Sequence, residues 1–328
     1  MGQPEVIDAY SHVCPAGLLE ALEQRAPSAE AKALRNSYLW DADRRLRFMD
    51  KIGVDVQVLV LVRPPMWLGM DRETVQHLTR VANESIAEMA ASHPDRLIGV
   101  GVVPVVDDVT LEELDRAHHE LGLRGVLIFS NVEGRPLDDD SMWPLYARAE
   151  ALGMPIWIHP QHGHSHPWLK RDLVDRLFGW PFETSIAMAR LVYGGVLEKH
   201  PRLTFVTHHL GGMVPFYASR IEAMDQEVER YRAGSLTEAS PALPEPVVEY
   251  FRRFYNDTMV NGSLPALECG IEFFGPERVM FGTDFPMGPD DGEHWPVQVL
   301  DSIRALDVSD AQRALMLGGN LRRILVGQ

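Results

Sequence analysis

His12, His159, His209 and Asp284 are the side chains whose types and settings suit chemistry, because each follows a short apolar run. "MPIWIHP" ends at His159 with Pro160 forcing a turn, and "RVMFGTDFP" carries Asp284 into a turn bounded by glycine and proline. "PEVIDAYSHVCP" presents His12, and "RLTFVTHHLGGMVPF" closes on His208 and His209 before a pair of glycines. Such runs, stopped by turn residues, read as buried strands. A neutral imidazole held rigidly at a strand end suits a divalent metal. A carboxylate there binds a metal, takes a proton from bound water, or does both. Singly, each residue has a plainer reading, as a turn-capping Asp or a hydrogen-bonded core His. As a set, they point to a metal-assisted active site at the mouth of a barrel.

His208 and His209 are neighbours, so on an extended strand they face opposite ways and only one reaches the mouth. Spacing alone does not choose between them. His162, His164 and His166 alternate along "QHGHSHPW" and read as lid or substrate-contact positions on a loop, with a solvated loop as the alternative. Arg63 follows the apolar run "VLVLVRPPM", where a guanidinium can grip a carboxylate through two parallel hydrogen bonds or equally stand as a surface Arg on a loop. Arg44, Arg45 and Arg47 lie in a helical pattern and are expected on a solvated or salt-bridged face. Trp67, Trp168 and Trp180 sit where top-face loops can wall a ring-binding pocket, with packing of loop against barrel as the alternative and the favoured one for Trp180. Glu183 is placed either to hydrogen-bond a ligating His or to complement a helix terminus.

These residues need a frame that brings distant strand ends together. Strands are expected near Val6–Asp8, Val56–Leu61, Leu97–Val103, Gly125–Phe129, Ile156–His159, Thr204–His208, Phe254–Thr258 and Val279–Gly282. Helical patterns separate them, among them Arg72–Ser92, Leu111–Leu121, Trp143–Leu152 and Ala218–Ala233, with Ser309–Leu317 after the last strand. That alternation is the one a (β/α)8 barrel needs. Pro15–Trp40 reads as a helical insertion after the first strand, and Gly234–Pro246 as a long loop. With no second composition regime in its 328 residues, the chain is expected to be one domain spanning 1–328.

The balance of 31 basic and 47 acidic residues gives a net charge of −16, which disfavours nucleic acid or an anionic membrane as partner. An anionic substrate stays admissible, since a metal and one or two arginines dominate the local field. Cys14 and Cys269 are the only cysteines, so a disulfide framework is not expected and a reducing cytoplasm fits. No apolar run approaches the roughly 20 residues of a membrane span.

Taken as an ordered set, "IDAYSHVCP", "RLRFMDKIGVDVQVL", "PLYARAEALGMPIWIHP", "PFETSIAMARLVYGGVLEKHPRLTFVTHHLGGMVPF", "VMFGTDFP" and "LGGNLRRIL" resemble the amidohydrolase superfamily. The resemblance is to its aminocarboxymuconate-semialdehyde decarboxylase-like branch and covers almost the whole chain. It implies a metal-dependent (β/α)8 barrel in which His159 and Asp284 ligate the metal. It also implies that His209, rather than His208, acts on metal-bound water or on substrate. Arg220, further along, would reach across a homodimer interface to a substrate carboxylate. One position departs from the pattern. The family's first strand usually ends in His-x-His, or Glu-x-His in some decarboxylases of phenolic acids, whereas this chain has Tyr10-Ser11-His12. A phenol of pKa near ~10 is a poor ligand unless the metal ionises it. The expected metal ligands are therefore His12, His159 and Asp284, with water completing the site and zinc ahead of manganese.

The leading expectation is a metal-dependent carbon–carbon lyase that decarboxylates an aromatic or unsaturated carboxylic acid, with His209 and Asp284 handling the proton. The alternative in the same site is hydrolysis of a C–N, C–O or C–C bond. A barrel that only binds ligands is a third reading. Against it stands the cost of burying four polar groups for packing alone.

Overall fold

A computed structural model describes residues 4–25, 36–62, 70–161, 171–234 and 242–326. Nine short strands are all parallel: β1 (Ile7–Val13), β2 (Val56–Leu61), β3 (Leu97–Gly99), β4 (Gly101–Val102), β5 (Val126–Phe129), β6 (Ile156–His159), β7 (Phe205–Thr207), β8 (Tyr255–Asp257) and β9 (Val279–Met280). They run in sequence order, β1 to β3 in one sheet and β4 to β9 in the other. β3 and β4 are one stave broken at Val100, whose amide donates to Leu59 O while Gly101 N donates to Gly125 O. The circuit closes where Ala9 N donates to Phe281 O at 2.8 Å and Asp284 N donates to Tyr10 O at 3.0 Å. The fold is thus a (β/α)8 barrel, with the strand order its sequence alternation predicts.

Parallel strands covered on both faces have no solvent side, and so they read as continuous apolar runs. Every residue of Val56–Leu61 and Val126–Phe129 is buried accordingly. The outer helices begin where short acceptors take up free amides, as Asp41, Asp71 and Asp107 do for Arg44, Thr74 and Thr110. Helix Arg72–Ser92 has the bounds its pattern predicts, and Ala16–Arg25 begins the expected insertion after β1.

The C-terminal segment departs from expectation. In place of one helix over Ser309–Leu317 there is a short helix Asp310–Ala314, a wide π turn Leu315–Gly319 and a second helix Asn320–Val326. The widened turn lets Met316 O accept from Phe281 N. It also lays Gly318 against β1, where a Cβ would stand 2.6 Å from Glu5 O. Gly318 and Gly319 weaken the helix there, and the absence of a side chain at Gly318 permits the close approach to the barrel.

Candidate metal centre

β1 delivers His12, β6 His159, the end of β7 His208 and His209, and the turn after β9 Asp284. His12, His159 and His208 are almost fully buried, and Asp284 is 6% exposed. Asp284 sits in the left-handed region at φ 59, a conformation Asp tolerates better than most residues. Its amide is tied to Tyr10 O and its carbonyl accepts from Met287 N, so the carboxylate is aimed by backbone bonds on both sides.

His12 Nε2 lies 2.9 Å from Asp284 Oδ1, and His208 Nε2 lies 3.5 Å from the same oxygen. The opposite ring nitrogens are already engaged. His12 Nδ1 is 3.3 Å from Val60 O, and His208 Nδ1 meets the buried carboxylate of Asp257. Ligand atoms of His12, His208 and Asp284 all fall within 4.8 Å of one another. Among the described residues this is the one such group of three. His159 flanks it, its ring centroid 5.2 Å from His12 and 5.8 Å from His208, with Nδ1 2.7 Å from Pro160 O.

These contacts test whether a cation fits. An imidazole that donates from Nδ1 can face a carboxylate with Nε2 only if it is doubly protonated or if a cation lies between them. His12 and His208 both meet that condition around one carboxylate, so the donor set fits a divalent metal. Burial alone would lower the His208 pKa, but the carboxylates of Asp257 and Asp284 outweigh it and raise it to about 10. Burial works to raise the Asp284 carboxyl, yet hydrogen bonds from His12 and His208 hold it far below the usual carboxylate range. Burial, reinforced by the neighbouring histidines, pushes His159 well below the ordinary imidazole value.

The sequence reading sets His208 away from the mouth, and the structure corrects that. His208 is still extended (φ −94, ψ 160), but His209 and Leu210 turn left-handed at φ 57 and 53. Alternation of faces holds only while the chain is extended, so both rings end side by side with centroids 3.8 Å apart. His209 stacks on Trp180 at 6.2 Å, and its Nδ1 is buried with no hydrogen-bond partner among the described residues. The glycines that follow permit the turn. Gly211 has φ 72, and a Cβ there would stand 2.7 Å from the Phe274 ring.

Tyr10 is fully buried, and its hydroxyl donates to Ile158 O at 3.2 Å. Its ring stacks on His208 with centroids 4.2 Å apart and planes 11° from parallel. Burial and the charges of Asp257 and Asp284 raise its pKa well above 10, so the phenol stays protonated. Glu183 lies in the first turn of helix Trp180–Tyr193 and accepts from Ser130 Oγ at 3.1 Å. Arg220 is exposed near the start of helix Ala218–Gly234. Arg63, Trp67, His162, His164, His166 and Trp168 lie outside the described residues.

Two residues that reasoning from sequence missed hold the site in place. Asp257, at the end of β8, orients His208 and accepts from Met259 N at 2.9 Å. Its "YNDT" context offers only a weak signal, an acidic residue closing a strand. Arg45, expected on a solvated face, is 0% exposed. It donates to Tyr38 O, Ser11 Oγ, Gln57 Oε1 and the carbonyl of His12. Its guanidinium also stacks over Phe285, the residue after Asp284.

The chain matches the amidohydrolase family over residues 7–326. It is 32% identical over 291 residues to a 2-amino-3-carboxymuconate-6-semialdehyde decarboxylase of Dictyostelium discoideum, covering 88% of this chain and 78% of that one. Among solved structures it is similar to 5-carboxyvanillate decarboxylase from Sphingomonas paucimobilis, with TM-score 0.81, 27% identity and 99% of each chain covered. A dihydroxybenzoic acid decarboxylase from Polaromonas sp., solved with bound manganese and the inhibitor 2-nitroresorcinol, matches with TM-score 0.79 and 25% identity, covering 99% of this chain and 97% of that one.

Proposed function

Because the chain belongs to the amidohydrolase family, we propose that it is a metal-dependent decarboxylase of small aromatic carboxylic acids carrying a hydroxyl beside the carboxylate. The observation that carries this reading is one buried carboxylate, Asp284, facing two imidazoles whose other nitrogens are already bonded. His12 and Asp284 are the ligands common to the sequence expectation and the donor group. A bound divalent ion supplies positive charge that anchors the substrate's oxygens and steadies the anion left when the carboxylate departs. Manganese suits the site better than the zinc expected from sequence. The Polaromonas relative holds it, and a carboxylate ligand with substrate oxygens makes an oxygen-rich set that suits it.

The residues then divide the work. In the net reaction the bond from ring to carboxylate breaks, its electron pair stays on the ring carbon, and a solvent proton restores the C–H bond. We assign that proton to His209 and Asp284. The buried Nδ1 of His209, unpaired among the described residues, takes it up, and stacking on Trp180 fixes the ring that delivers it. Arg63 and Arg220 are assigned to the substrate carboxylate, Arg220 from the second subunit of a homodimer.

The test is turnover of hydroxybenzoates by manganese-loaded protein in D2O with 18O-labelled water. The expected result is release of carbon dioxide, with one deuterium at the vacated carbon. Solvent oxygen in a product carboxylate, with no carbon dioxide released, would instead establish the hydrolytic alternative.

A further inference from the structure

Hydrogen-bond accounting at the end of β7 goes further than the assignment of a metal site. His208 is almost fully buried between two carboxylates, Asp257 at Nδ1 and Asp284 at Nε2. One imidazole face is covered by Tyr10, whose hydroxyl is directed to Ile158 O and so is not a free donor to a metal. Its Nε2 shares the Asp284 oxygen with His12 Nε2, and the ligand atoms of the three residues lie within 4.8 Å. Two elements thus spend buried carboxylates on holding one imidazole in one orientation, β8 through Asp257 and the turn after β9 through Asp284, while β1 covers its face with the Tyr10 ring. Burying them is costly unless the orientation is needed.

We propose that His208 is itself a metal ligand, completing a His12–His208–Asp284 set, and that Tyr10 is a positioning residue rather than a ligand. This rests on the metal-dependent reading above and narrows it to particular atoms. His208 takes the position that Tyr10, whose hydroxyl is committed to Ile158 O, leaves unfilled. Asp257 accepts the Nδ1 proton of His208, which keeps the Nε2 lone pair toward the ion and strengthens it as a donor. Stacking against Tyr10 fixes the ring plane, so the site uses the phenol as a wall. His159, bonded through Nδ1 to Pro160 O, stands beside the set.

The decisive measurement is a manganese-soaked crystal of the wild-type protein, read by anomalous scattering. The proposal expects an ion within bonding distance of His208 Nε2, bonded also to His12 and Asp284. An ion bonded to His159 with His208 outside bonding distance overturns it. Calorimetric titration with manganese supplies a second readout that needs no turnover. Tyr10→Phe should bind within about twofold of wild type, whereas Asp257→Asn should lose about 10- to 100-fold in affinity, and His208→Gln at least as much. Loss of binding in Tyr10→Phe, with the fold intact by circular dichroism, makes the phenol a ligand and overturns the assignment. If wild-type protein itself binds no manganese or zinc, the metal reading fails as a whole. If it binds and His208→Gln binds equally well, only the role of His208 fails.

Discussion

An imidazole caught between two acceptors carries either two protons or a neighbouring cation, and His12 and His208 share that condition around Asp284. Metal removal should therefore be felt by the whole fold, because buried groups arranged for an ion are left facing one another. At an ion concentration 100 times its dissociation constant, binding adds about 2.7 kcal/mol of stability. Chelation should lower the melting temperature, and returning manganese should restore it. A melting temperature indifferent to chelator would sever the link between site and ion. His209 makes a different prediction, since its buried Nδ1 has no hydrogen-bond partner among the described residues. His209→Ala should lower kcat by about 10²- to 10⁴-fold while manganese stoichiometry stays at the wild-type value. Loss of the ion in that variant would make His209 a ligand and leave the proton without a carrier.

Strand ends position the chemistry, and the buried network behind β1 positions the strand end. Arg45, from helix Ala42–Ile52, ties the Ser37–Leu39 turn to Ser11 and to the carbonyl of His12. Through Gln57 it also reaches Asp8, which accepts from Thr283 Oγ1 at 2.6 Å. Arg45→Met strips four acceptors of their donor and leaves Asp8 without its nearby cation. It should destabilise the protein by about 3–5 kcal/mol, read by chemical denaturation. A loss below about 1 kcal/mol would mean the network is dispensable.

Asp8 gives this network a pH signature. Burial pushes its carboxyl up to about 7, against the hydrogen bonds from Thr283, Tyr10 and Gln57 and the charge of Arg45. The folded state then holds a proton that the unfolded chain has released above ~4. Asp8 therefore makes unfolding free energy fall as pH rises from about 4 to 7, after which its contribution is flat. Whatever the absolute stability of Asp8→Asn, this component of the slope should vanish from its profile between those limits. An unchanged slope would place the titration elsewhere.

The same elements show what sequence could and could not reveal. Strands stood out because parallel barrel staves are apolar throughout, and His12, His159 and Asp284 stood out because turn residues stop those runs. His208 did not, because its placement depends on two residues leaving the extended conformation, and nothing in "THHLGG" marks His209 and Leu210 as left-handed. Arg45 was hidden for a related reason. An arginine in an amphipathic helix is ordinarily solvated, and only the tertiary approach of Ser11, Gln57 and the carbonyl of His12 makes burial tolerable.

The barrel leaves part of its outside unfinished. Along the π turn Asp175–Gly179 and helix Trp180–Tyr193, Phe178, Phe182 and Ile186 recur at four-residue spacing and are all exposed, Phe178 by 68%. Met213 N donates to Ser185 Oγ on that helix, which brings the segment holding Phe216 and Tyr217 close by; Phe216 is 77% exposed and packs edge-on against Tyr217. Aromatic and aliphatic groups so grouped are the kind of surface a second copy covers. Arg220 follows within one turn, exposed and with no hydrogen-bond or ion-pair partner among the described residues. A homodimer formed through this face would bury the aromatics and give Arg220 a site to serve. The wild-type chain should therefore sediment as a dimer, and Phe182→Glu combined with Ile186→Glu should yield a folded monomer. Arg220→Ala should stay dimeric but raise KM for a carboxylate substrate about tenfold or more, the loss of one charge-assisted pair being worth roughly 1.5–3 kcal/mol. A dimer that survives both glutamates, or an Arg220→Ala enzyme with unchanged KM, would uncouple this surface from the chemistry at the mouth of the barrel.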